Sequence, residues 1–319
     1  MAHFTGHTLP LVLAPFETAE TAESPSDLIA YAQEHERELR DGLHRHGALL
    51  FRGFTVDDAA TFQQIIEVFA PRLRNYQGGD SPRARVTDKV YTSTAYPASL
   101  PIPLHNEMSY SREYPSLIAF YCEQPPKAHG ETPLADCREL LHSLSADLLE
   151  RFEIKKLRYI QNLPDGAGLG KSWQATFETD DPAQVEAVLD RRGAEWQWRR
   201  QRGGALRVVE LVEPIVTHPH TGEDVFFSQA HLWHVSSLDP QTRKALTRLV
   251  AEDDLYHHCT FGDGSPLGDR DLLEIRRALD AATVSVPWRR HDVLLVDNLL
   301  VAHGRNAFAG ERRILVAMA

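Results

Sequence analysis

Apolar positions along the chain recur with two periods. Leu28, Tyr31, Leu39 and Leu43 share one helical face that runs toward a stop at Gly47, with Ser24-Pro25-Ser26-Asp27 as its start. The run Ala48-Leu-Leu-Phe-Arg-Gly-Phe54 is short, apolar and bounded by glycine, as a buried strand is. Asp57 and Asp58 then introduce a second helix through Ile65, Ile66 and Phe69. Helical spacing returns over 136–152 as one or two helices, and again over 239–250 and 270–279. Strand character marks 91–96, 102–110, 117–122, 208–212, 224–227, 283–286, 293–296 and 314–316, while 76–82 is rich in turn formers. Helices in front and short strands with turn signals behind predict a mainly β fold with flanking helices, a β-sandwich or jelly roll.

A single domain is expected over 1–319, with 1–46 as a helical leader and the polar stretch 162–205 as an insertion or lid. Trp196 and Trp198 stand among arginines there, a pattern that fits a solvated strand pair with cation–π contacts better than a nucleic-acid surface. Charge agrees: 34 basic against 45 acidic residues leave −11, which disfavours a phosphate backbone or an anionic membrane as main partner. Three scattered cysteines, Cys122, Cys137 and Cys259, form no C-x-x-C pair and read as reduced and packed. With neither a secretory leader pattern nor a run of 18 apolar residues, a cytoplasmic location is expected.

The candidate chemistry lies in Ile102-Pro-Leu-His105-Asn-Glu107. If this segment is extended, His105 and Glu107 leave the same strand face and can share a metal ion. The triplet alone is weak, because a chain this acidic holds about two His-x-acid triplets by chance. Two are found, but the other, at His129, sits among Pro and Gly. His303 would complete a two-histidine, one-carboxylate face, the set that leaves positions open on non-haem Fe(II). The same ligands also suit Zn²⁺, so a zinc-dependent hydrolase is the rival reading, although no H-E-x-x-H motif is present. Arg312 and Arg313 start the last strand, where alternation must turn one of them inward as a clamp for an acid. Asp297 is a candidate to orient His303, and Asn106, His231, Trp233 and Arg305 are candidates for the substrate wall.

Several separated motifs carry a resemblance. Gly47 to Phe54, His105-x-Glu107, Gly130-Glu-Thr-Pro133, Asp297-Asn298 to His303-Gly-Arg305, and Arg312-Arg-Ile-Leu-Val316 resemble the Fe(II)/2-oxoglutarate dioxygenases of the taurine dioxygenase superfamily. Gly78-Gly79-Asp-Ser-Pro82, Tyr91-Thr-Ser-Thr94, Gln229-Ala-His231 and Phe261-Gly-Asp-Gly-Ser-Pro266 are similar to its SyrP-like and clavaminate-synthase-like subgroup. The resemblance implies a double-stranded β-helix with Fe(II) on His105, Glu107 and His303. It also implies 2-oxoglutarate against Thr132 and either Arg312 or Arg313, which it leaves open. O₂ and a small-molecule substrate follow, an amino acid either free or tethered to a peptidyl carrier protein, in antibiotic biosynthesis. Hydroxylation is the expected outcome, with desaturation or cyclisation as alternatives. Ala317 stands four residues past Arg313, where taurine dioxygenase places a substrate-binding arginine, so a sulfonate substrate is not implied. A carboxylate at Glu107 likewise speaks against a halogenase, which needs that coordination position vacant.

Overall fold

The computed structural model describes residues 9–15, 27–75, 78–79, 83–166, 168, 170–199 and 203–319. The expected helix start at 24–26 and most of the 76–82 loop lie outside them. A six-stranded sheet forms the backbone of the fold, in the order Leu11–Leu13, Ala48–Phe51, Val293–Asp297, Leu117–Gln124, Arg313–Met318 and Tyr91–Thr92. Its first pair is parallel and the others are antiparallel.

Side chains of this sheet alternate between two cores. Leu50, Phe120, Leu294 and Val316 enter one core, whereas Leu49, Tyr121, Leu295 and Ala317 enter the other. Burial on both faces explains why these strands read as continuous apolar runs without polar alternation. The second core is roofed by helices Leu28–Glu34, Glu36–His46 and Ala59–Phe69. The single helix expected across 28–46 is thus two, broken at His35. Gly47 ends the second one at φ 73°, where a β-carbon would also run into Val301 Cγ2.

The first core lies between the six-stranded sheet and a three-stranded one, Ile102–His105, Val301–Arg305 and Leu134–Asp136. These two sheets are the jelly-roll core, an open sandwich with helices on its flanks. The expected strand at 283–286 reduces to one bridge between Val284 and Leu134. Two strands that the apolar pattern did not mark, Leu157–Leu163 and His257–Phe261, join Ala205–Val212 and Glu195–Arg199 in a separate four-stranded antiparallel sheet.

Much of 162–205 is ordered around that sheet. Helices Trp173–Phe177 and Pro182–Arg192 bury a small core of Trp173, Phe177, Val185 and Leu189 with Leu206. The indole N–H groups of Trp196 and Trp198 donate to Asp190 (2.9 Å) and Glu186 (2.7 Å), so the tryptophans meet acids of the neighbouring helix. Among the described residues no helix is long and apolar enough to cross a membrane.

Candidate active site

Antiparallel pairing sets His303 directly opposite His105. Cross-strand neighbours hold their β-carbons about 5 Å apart, so one register brings together residues nearly two hundred positions apart. The imidazole centroids lie 4.5 Å from each other. Gly304 makes this approach possible, because a β-carbon there would sit 2.6 Å from the Ile102 carbonyl oxygen and 3.2 Å from Leu104 N.

Glu107 arrives by a different route from the one expected. The strand ends at His105 and residues 107–110 form a turn, with Met108 at φ 57°, so simple strand alternation does not present the carboxylate. Asn298 holds it instead. Its Oδ1 accepts from Glu107 N at 2.8 Å, and its Nδ2 donates to Glu107 O at 3.0 Å and to Pro115 O at 2.7 Å. The result is one group of three: ligand atoms of His105, Glu107 and His303 all lie within 4.8 Å of one another.

The donor set suits a divalent cation. His105 donates from Nδ1 to the Pro103 carbonyl at 2.8 Å, which leaves the Nε2 lone pair available. His303 is buried, and burial, then His105, then Arg83 push its pKa well below the ordinary value, so the ring is the neutral form that a metal requires. Its Nδ1 is buried with no hydrogen-bond partner among the described residues. Arg83 pairs with Glu107 Oε2 at 2.9 Å, both side chains being about 5 % exposed.

The two arginines separate clearly. Arg313 is exposed and pairs with Glu123, whereas Arg312 turns inward, donating from Nε to Gly130 O at 2.9 Å. Arg312 borders the same recess as His105, His303 and buried Thr132. Burial, reinforced by Arg305, lowers its pKa to about 10, so it stays cationic at neutral pH. Counting four residues on from Arg312 gives Val316 on the inner face, while Ala317 faces the helices; neither offers a charge.

An outer cavity of about 560 Å³ opens over His105 and Glu107 and is walled by Tyr96, Tyr110, Trp233, Tyr256 and His257. Trp233 is therefore a wall residue, stacked on His257 at 4.0 Å. The other three candidates for that wall have different surroundings. Asn106 is buried and donates to Asn298 O at 2.7 Å. His231 is buried and donates from Nε2 to Leu104 O at 2.9 Å, bracing the strand that carries His105. Arg305 borders the inner recess, but its guanidinium donates to the Tyr96, Pro97 and Leu100 carbonyls. Asp297 makes no hydrogen bond to His303; it bonds His218 Nε2 at 3.1 Å and caps Leu299 N and Leu300 N.

Residues 12–318 match the family described as Taurine catabolism dioxygenase TauD, TfdA family. The chain belongs to the TauD/TfdA dioxygenases. The dioxygenase is 35 % identical over 301 residues to the dapdiamide synthesis protein DdaC of Enterobacter agglomerans, covering 94 % of this chain and 89 % of that one. It is 32 % identical to a clavaminate synthase-like protein of Arabidopsis thaliana, covering 99 % and 95 %. Its fold matches the crystal structure of PvcB from Pseudomonas aeruginosa with a TM-score of 0.54 at 16 % identity, covering 98 % and 87 %. An asparagine oxygenase solved with Fe(II), 3-hydroxyasparagine and succinate gives 0.53 at 13 % identity, covering 91 % and 79 %.

Proposed function

We infer that this dioxygenase binds Fe(II) through His105, Glu107 and His303, and 2-oxoglutarate against Thr132 and Arg312. It hydroxylates an amino acid or a carrier-tethered aminoacyl group in the biosynthesis of a small bioactive compound. The convergence of three ligand atoms within 4.8 Å of one another carries this reading. Support for the substrate class comes from relatedness to a dapdiamide synthesis protein and from a fold shared with an asparagine oxygenase. When bound, the ion and its keto acid supply the activation of O₂ and the oxidation of a C–H bond.

The chain's own residues do the holding and shielding. The Pro103 carbonyl fixes the His105 tautomer, Asn298 fixes the backbone of Glu107, and Phe120 lies 5.3 Å from the His303 ring on the inner side. Arg312 offers a planar fork to the far carboxylate of 2-oxoglutarate. The aromatic wall gives the cavity apolar surface on which a substrate can exclude water.

Anaerobic addition of Fe(II) and 2-oxoglutarate should produce a weak visible charge-transfer band. Screening free and carrier-loaded amino acids should then find one that releases succinate and gains one oxygen atom by mass. A zinc-dependent hydrolase on the same ligands would give neither signal, and absence of the band in folded, metal-loaded protein would overturn the reading.

A further inference from the structure

A second cleft, of about 460 Å³, adjoins the inner recess and shares Ser93, Thr94, Arg305 and Arg312 with it. Its other charged residues are Arg85 and Arg313, so four arginines and, among the described residues, no acid line it. The two exposed arginines have partners just outside the lining: Arg85 meets Glu178 at 3.3 Å and Asp88 at 3.8 Å, and Arg313 pairs with Glu123. The two inner ones differ. Arg305 is buried and Arg312 partly so, they lie 5.1 and 5.5 Å from the Phe308 ring, and neither makes an ion pair with a described residue. Their hydrogen bonds go to carbonyl oxygens and to the Ser93 hydroxyl, which leave both positive charges in place. Glu131 acts on Arg312 only through its field, its carboxylate accepting from Asn306 Nδ2 at 2.9 Å. The outer cavity is different: apart from histidines its charged lining is one Lys171 and one Glu107, among aromatic and apolar walls. On a chain of net charge −11, a cleft whose lining carries only positive charge stands out. Low-dielectric walls focus such a field and raise the rate at which an opposite charge enters, by about 10- to 1,000-fold in strong cases.

We propose that this cleft is the entrance for 2-oxoglutarate and the exit for succinate, separate from the outer cavity that takes the substrate. The proposal rests on the Fe(II)/2-oxoglutarate reading, which sets the far carboxylate at Arg312, a residue that borders both recess and cleft. A dicarboxylate arriving this way meets Arg305 and Arg312 before it reaches the recess, and two guanidinium groups without acid partners attract it inward. The arrangement has a kinetic consequence. Succinate can leave while the oxidised product still fills the outer cavity, so the two products follow no fixed order of release.

Cys122, Cys137 and Cys259 are buried, so one introduced surface thiol can be labelled alone. Ala84 is exposed at the cleft and Pro101 is exposed at the outer cavity. The test uses full-length Ala84→Cys and Pro101→Cys proteins loaded anaerobically with Fe(II), each compared before and after reaction with a bulky uncharged maleimide. Stopped-flow growth of the charge-transfer band reads the association rate of 2-oxoglutarate, and equilibrium titration of the same band reads its affinity. A label at position 84 should slow association at least about 10-fold and leave affinity within about threefold, because a blocked door slows entry and exit alike. A label at position 101 should leave the rate within about twofold. In wild type, association should slow about 10-fold between roughly 0.02 and 0.5 M salt, as the field of the cleft is screened. Unslowed association in labelled Ala84→Cys, equal slowing by the two labels, a loss of affinity in place of rate, or association indifferent to salt would each overturn the proposal. Absence of the band in wild type sinks the functional reading, whereas its presence with any of those four results sinks only the role of the cleft.

Discussion

Removing the Asn298 carboxamide should weaken metal binding without touching a ligand. Asn298→Ala deletes three buried hydrogen bonds, two to the Glu107 backbone and one to Pro115 O. Each leaves a buried backbone group unpaired at a cost of about 1–3 kcal/mol, partly recovered if water enters the space vacated by the amide. We expect a loss of about 3 kcal/mol in folding stability. A freed Glu107 turn should also lower metal affinity about 10- to 100-fold, the usual effect of removing the partner that orients a ligand. Asn298→Asp keeps the acceptor for Glu107 N but sets a carboxylate against two carbonyl oxygens, so it should be no better than alanine. Anaerobic calorimetric titration with Fe(II), run beside urea unfolding of the metal-free protein, separates the two effects. If Asn298→Ala is destabilised but binds Fe(II) within about twofold of wild type, the carboxamide serves the fold alone and the positioning argument fails.

Gly304→Ala should push apart the strands that carry His105 and His303, because its β-carbon lands 2.6 Å from the Ile102 carbonyl oxygen. Fe(II) affinity should fall at least about 10-fold, and wild-type titration would refute the close-packing account. Arg312→Lys should raise the KM for 2-oxoglutarate roughly 10- to 100-fold because an ammonium cannot form the paired bonds, whereas exposed Arg313→Gln should leave it unchanged; the reverse outcome would exchange their roles. Burial lowers the His231 pKa to about 4, so between that value and the unfolded one near 6.5 the unfolded chain binds the extra proton. The stability from keeping His231 neutral is therefore complete above about pH 6.5 and lost as pH falls toward 4, by about 2 kcal/mol at pH 5. Urea unfolding at pH 7.5 and pH 5 should show that difference shrinking in His231→Gln, and an unchanged difference would remove His231 from the account.

Local pattern made several elements legible because the signals are local. Asp58 accepts from Thr61 N at the start of Ala59–Phe69, and Gly47 closes the preceding helix at positive φ, each where the residue type allows it. Strands buried on both faces were equally visible as apolar runs at 48–51, 117–122 and 293–296. Leu157–Leu163 and His257–Phe261 escaped because polar residues such as Arg158, Gln161 and His257 interrupt any apolar run, and their place depends on cross-strand partners far along the chain. The small core within 162–205 is likewise set by tertiary contacts.

The ligand types and the candidate arginine pair were encoded in residue identity, since only a few side chains can hold a divalent cation or clamp a carboxylate. Tertiary structure decided which of them meet and what supports them. The register opposite His105 placed His303, a turn clamped by Asn298 placed Glu107, and the last strand's face chose Arg312 over Arg313. It also withdrew Asn106 and His231 into buried backbone contacts and gave Arg305 three carbonyls to hold. The physical reason is that a side chain's chemistry belongs to the residue, whereas its direction and its partners depend on strand register and turn geometry, which only the folded chain supplies.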